Sequence, residues 1–145
     1  MPFAADDLEL RVDIARLDRS HVVALTGELD LHTSGTLRES LAPLLSGGDG
    51  DVILDLSGIA FIDSTALGVL IEAARRLRER GAELIVATDD PRLRRLLEIT
   101  GLLGTLRHER TLAEAVERVS ARAVESRSLP PQDARQLDRR QEVER

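Results

Sequence analysis

Phe61-Ile62-Asp63-Ser64-Thr65-Ala66-Leu67-Gly68-Val69-Leu70-Ile71 puts a hydroxyl pair where an apolar strand turns into an amphipathic helix. The first four N–H groups of a helix have no intrahelical acceptor. The helix dipole adds partial positive charge there, so such a junction holds an anion without a basic side chain. Ser64 suits two roles at this point, N-cap of the helix and acceptor of a phosphate. Taken alone, the triplet Asp63-Ser64-Thr65 reads as a cap, so the segments around it must decide.

Downstream, Leu67, Leu70, Ile71, Ala74 and Leu77 recur at helical spacing, and Glu72, Arg75, Arg76 and Glu79 take the other side at salt-bridging distance. Gly81 is placed to end this helix. Upstream, Val52, Ile53, Leu54 and Leu56 make residues 51 to 56 nearly continuous in apolar character, as a strand covered on both faces requires. Before it, Thr33-Ser34-Gly35-Thr36 offers several N-caps to a helix carrying Leu37, Leu41, Leu44 and Leu45. Pro43 should kink that helix or loosen its last turn, and Gly47-Gly48-Asp49-Gly50 closes it. This glycine run lacks the Gly-Lys-Ser/Thr ending of a phosphate loop.

The N-terminal part alternates. Leu8, Leu10, Val12 and Ile14 alternate with Glu9, Arg11 and Asp13, the pattern of a half-buried strand. Asp18-Arg19-Ser20 connects it to the β-rich run Val22 to Leu29, so the two read as a hairpin of open turn type. After the central helix, Leu84 to Ala87 is a short buried strand and Asp89-Asp90-Pro91 starts a helix with an acidic cap before proline. Leu93, Leu96 and Leu97 give it a buried side. An extended piece near Thr105 to Arg107 precedes Thr111-Leu112-Ala113-Glu114, a capping box for a last helix with Leu112, Ala115, Val116 and Val119 as its stripe. Beyond about residue 124 the periodicity stops, and residues 124 to 145 are expected to form a flexible charged tail. The order strand, strand, helix, strand, helix, strand, helix, with a short extended piece and a last helix, is an α/β layout. It implies a small mixed sheet of four to five strands with helices packed against it in one domain, residues 8 to 123.

Composition narrows the function. A chain of 145 residues with 42% hydrophobic content suits one core. A net charge of −6 and the lack of Trp and Tyr argue against nucleic acid and against an anionic membrane surface as partners. There is no cysteine for a disulfide, a thiol nucleophile or a thiolate metal site. His21, His32 and His108 lie in separate segments without metal-ligand spacing, so neither metal nor cofactor is expected. The acidic N-terminus and the lack of a long apolar run suggest a protein of the cytoplasm. A serine hydrolase would have to use Ser64, yet the segment lacks both glycines of a nucleophile elbow, and His108 as its base would be conjecture.

Two further segments change the weight on Ser64. Leu25-Thr26-Gly27-Glu28-Leu29-Asp30 ends an apolar strand, and Leu96-Leu97-Glu98-Ile99-Thr100-Gly101-Leu102 ends a helix with glycine. In this order and at these separations, the three segments resemble the STAS domain of bacterial anti-sigma factor antagonists, from about residue 8 to about residue 120. The resemblance implies that Ser64 is the residue phosphorylated by an anti-sigma factor that is itself a serine kinase, with Thr65 a weaker acceptor. It also implies that the unphosphorylated form captures that kinase and frees the sigma factor, with a phosphatase as a further candidate partner. Asp63 then corresponds to the family's acid beside the acceptor, and Asp30 to an acid of the kinase-facing surface. The partner surface implied is Glu28, Asp30, Asp63, Ser64, Thr65, Ala66 and Gly68, on a monomer or weak homodimer. Where the family often has glycine after the hydroxyl pair, this chain has Ala66. An accessory subunit of a lipid or anion transport assembly is the alternative that keeps the fold.

Overall fold

The computed structural model describes residues 10–47, 50–99 and 106–128. Among the described residues, five strands and four helices follow one another as β1 (Leu10–Leu17), β2 (Ser20–Leu29), α1 (Ser34–Gly47), β3 (Val52–Ile62), α2 (Ser64–Glu79), β4 (Leu84–Ala87), α3 (Pro91–Ile99), β5 (Arg107–Glu109) and α4 (Leu112–Ser128). The strands form one mixed sheet in the order β1-β2-β3-β4-β5. β1 and β2 are an antiparallel hairpin and every later pairing is parallel. Asp18 makes the two-residue hairpin turn by taking a left-handed φ of 58°, which aspartate tolerates better than most side chains. Gly50 lies against this turn so closely that a Cβ would overlap the Arg19 carbonyl, which explains a glycine there.

The alternation along β3 and β4 splits the core in two. Leu54, Leu56, Leu84 and Val86 face α1, α2 and α3 through Leu37, Leu41, Leu70, Leu77, Leu93 and Leu97. Ile53, Ile85 and Ala87 face the other way and meet Ala115 and Val119 of α4. Helix α2 ends as its sequence indicates. Gly81 has a φ of 81°, its N–H donates to the Arg78 carbonyl at 3.0 Å, and the Ala82 N–H donates to the Leu77 carbonyl at 2.9 Å, a Schellman closure.

Several expectations are corrected. α1 contains Pro43 and runs on to Gly47, where the glycine run was expected to close it, with Leu44 and Leu45 buried. Ile14, Ile71 and Leu112, expected on buried stripes, are 47%, 37% and 37% exposed. β3 runs to Ile62, well past Leu56, and β5 is Arg107–Glu109, displaced towards the C-terminus from the expected piece. The last helix reaches Ser128, past the expected boundary at residue 124. Leu8, Gly48, Asp49, Gly101, Thr105 and the chain after Ser128 lie outside the described residues.

β3 is long because it is bulged. Its pairing with β2 shifts between Ala24 and Thr26 and again between Gly27 and Glu28, each time with an extra β3 residue. Ile59 and Ile62 are therefore both buried while Ala60 and Phe61 between them are exposed. The last pairs are Glu28 with Phe61 and Leu29 with Ile62. The chain segments leaving β2 and β3 consequently start side by side.

Candidate functional site

Asp63, not Ser64, caps α2. It is extended, with φ −103° and ψ 179°, and its Oδ1 accepts the Ala66 N–H at 3.0 Å. Its backbone N–H donates to the Leu29 carbonyl at 3.0 Å, and its carbonyl takes the first helical N–H, from Leu67, at 3.0 Å. The expectation that Ser64 would cap is corrected. Ser64 is the first residue of the helix and is exposed, and its hydroxyl makes no hydrogen bond among the described residues. A serine at this position offers a hydroxyl unengaged by the fold, beside the positive end of a four-turn helix.

The segment after β2 packs against this junction. The second oxygen of Asp63, Oδ2, accepts the Leu31 N–H at 2.9 Å. Asp30 Oδ1 accepts the N–H groups of His32 at 2.9 Å and Thr33 at 3.0 Å, which closes an Asx turn. Thr33 does not cap α1 with its side chain. Its hydroxyl points back, donating to the Glu28 carbonyl at 2.8 Å and accepting the Asp30 N–H at 2.9 Å. The loop is thus bonded within itself and to Asp63, and it displays Leu31 at 65% exposure with His32 exposed beside it. Phe61 is 49% exposed on the adjoining strand end.

Residues 11–115 match the model of the STAS domain family. This chain belongs to the STAS domain family. A relative from Staphylococcus aureus named anti-sigma-B factor antagonist is 33% identical over 95 residues, covering 66% of this chain and 88% of its own length. The crystal structure of an anti-sigma factor antagonist from Mycobacterium paratuberculosis is similar with a TM-score of 0.71 and 25% identity, over 77% of this chain and 95% of that one. The phosphorylated form of the Bacillus cell fate determinant SpoIIAA shares the fold at a TM-score of 0.61 and 24% identity, over 75% of this chain and 99% of that one.

In this STAS domain, Glu28, Asp30, Asp63, Ser64 and Thr65 come together at the ends of β2 and β3, from segments more than thirty positions apart in sequence, as the pairings Glu28 with Phe61 and Leu29 with Ile62 require. Gly68 lies one turn further along α2, exposed, with nothing within 4 Å of where a Cβ would sit. Ala66 is a correction. Its side chain has 0% exposure and belongs to the core, so it neither crowds the acceptor nor meets a partner, and only its N–H serves the site. Leu31, Thr33 and Phe61 were not singled out from sequence as parts of this site. The Asp30-to-Thr33 spacing was the available signal for the first two, and nothing marked Phe61, whose exposure follows from a bulge.

The geometry does not bring His108 to Ser64. His108 sits on β5 opposite Val86, which pairs with Leu54. Ser64 lies past the far end of β3, roughly 25 Å up the strand at ~3.3 Å per residue. Burial first, then the neighbouring charge of Arg94, holds the His108 imidazole below its ordinary pKa. Among the described residues no group of His, Cys, Asp or Glu could hold a metal ion, and no helix is long and apolar enough to cross a membrane.

Proposed function

We propose that this STAS domain is an anti-sigma factor antagonist whose unphosphorylated form binds an anti-sigma serine kinase in the cytoplasm and releases a sigma factor. Phosphorylation of Ser64 turns that binding off, and a phosphatase restores it. The observation that carries the proposal is the division of labour at the start of α2. Asp63 takes the capping role, leaving the Ser64 hydroxyl exposed and unbonded.

The switch works through local charge. A phosphate adds about −1.5 to −2 charge at neutral pH. In the free domain the helix N-terminus and solvent accommodate it, and the fold is unchanged. Against a packed partner, with Asp63 adjacent and Glu28 and Asp30 on the neighbouring strand end, the added oxygens would be desolvated among like charges. An uncompensated buried charge costs several kcal/mol, which lowers affinity by ~100-fold or more. Thr65 is exposed as well, but it is β-branched and one step further into the helix, so Ser64 is the main acceptor. The protein is in this reading the substrate of its partner's chemistry rather than an enzyme.

The test is to incubate the chain with ATP and the serine kinases encoded beside sigma-factor genes in its own genome, and to map the phosphopeptide. Calorimetric titration of the kinase with native and Ser64-phosphorylated protein then measures the switch. Equal affinity of the two forms, or modification elsewhere than at Ser64, overturns the proposal.

A further inference from the structure

Both carboxylate oxygens of Asp63 are engaged inside the protein. Oδ1 takes the Ala66 N–H and Oδ2 the Leu31 N–H, so one side chain ties the start of α2 to a loop from another part of the chain. Within that loop the N–H groups of His32 and Thr33 find Asp30, and that of Asp30 finds Thr33. Leu31 is different: its N–H reaches out of the loop to Asp63. The same residue carries the apolar side chain that the loop holds out into solvent. Since Asp63 is peptide-bonded to Ser64, Leu31 is held one residue and one carboxylate away from the acceptor hydroxyl.

We propose that Asp63 is a positioning residue that fixes the Leu31 loop and Ser64 as one recognition surface. Leu31 is the apolar anchor that a partner acting on Ser64 receives in a pocket of its own. Asp63 acts on the partner through Leu31, since each of its oxygens already holds a backbone N–H of this chain in the unbound protein. The identity of the partner rests on the function proposed above, whereas the strut between Asp63 and Leu31 does not.

Two measurements test this. In the full chain, amide hydrogen exchange is followed residue by residue in the native protein and in Asp63→Asn. Asparagine still caps the helix with its oxygen but turns an NH₂ towards the Leu31 N–H. Exchange at Leu31 should quicken roughly tenfold, the weight of one net hydrogen bond, while core amides such as Leu70 and Val86 keep their rates. Asp63→Ser, which caps with a single oxygen, is the second probe should the first variant be poorly folded. Unchanged exchange at Leu31 in a folded variant overturns the strut.

The second measurement is a double-mutant cycle against the kinase that modifies the chain in the assay above. Leu31→Ala and Asp63→Asn should each weaken binding about tenfold, and the double variant should bind no more than about twofold worse than the weaker single one. Multiplication of the two effects towards ~100-fold would mean that Asp63 meets the partner itself, which overturns the positioning role. Failure of every kinase to modify Ser64 would count against the proposed function, and the exchange measurement decides the role of Asp63 without any partner.

Discussion

Replacing Arg122 by methionine should loosen α4 before anything else in the domain. Arg122 Nε lies 2.9 Å from Asp51 Oδ2 and its Nη2 3.3 Å from Asp51 Oδ1, while Nη2 also donates to the Gly81 carbonyl at 3.3 Å. Nη1 stands 3.5 Å from Glu83 Oε2. Asp51 is buried and retains, apart from Arg122, the Glu83 N–H at 2.8 Å. Methionine keeps most of the aliphatic stem, so the change isolates the charge. Breaking a fully buried pair costs about 3–5 kcal/mol, but Arg122 is a third exposed, and solvent screening brings the expectation to about 2 kcal/mol. A domain of this size loses roughly 4 °C of Tm per kcal/mol, so the midpoint should fall by about 8 °C. Scanning calorimetry reads the fall, and hydrogen exchange should show α4 amides losing protection ahead of those of β3 and β4. A loss under about 2 °C with α4 still protected would refute the view that this pair fastens the helix.

The remaining expectations are shorter. Ser64→Ala should leave stability within about 0.5 kcal/mol, since its hydroxyl bonds to nothing in the fold, whereas Asp63→Ala removes a cap and the Leu31 acceptor and should cost about 1–2 kcal/mol; parallel urea titrations separate the two. Gly68→Ala should stabilise α2 by about 0.5–1 kcal/mol, because the added methyl meets nothing, yet weaken kinase binding if this face is the interface. Acid should act through Glu83. Burial pushes its carboxyl up, but the hydrogen bond from Arg118 and the charges of Arg122 and Arg118, with Arg107, outweigh this and hold it below its ordinary pKa. Its contribution is therefore complete above the unfolded value of ~4.3 and is lost as pH falls through the lower folded value, so Glu83→Gln should flatten the acid limb of a stability profile.

What was legible in the sequence was what depends on local period and local caps. The expected cap of α4 is present in its first half, with the Glu114 N–H on Thr111 Oγ1 at 3.1 Å, while the Glu114 carboxylate reaches past Thr111 to the Arg110 N–H at 3.1 Å. Asp90 caps α3 through the Arg92 N–H at 2.9 Å, and Arg75 pairs with Glu72 and Glu79 at 2.7 and 3.0 Å. What escaped depends on pairing between distant segments. The upper half of β3 was not seen because two bulges erase its alternation, and they are visible only once β2 lies beside it. The shift of the cap from Ser64 to Asp63 could not be read from composition, because both residue types cap well. Asp63 wins by being tied on its other side as well, by the ladder bond to Leu29 and by the Leu31 N–H.

The mostly parallel sheet gives the domain two poles with different uses. α4 returns along the sheet so that Arg122 reaches Asp51 and Gly81, at the pole where β3 begins, whereas Ser64 stands where β3 ends. The later part of α4, around Arg122, therefore lies at the pole remote from the acceptor. A fluorophore or an affinity handle attached at Ala121, exposed on that part of α4, would be carried without shading the face around Ser64. An attachment within the Asp30–Thr33 loop would stand directly beside that face.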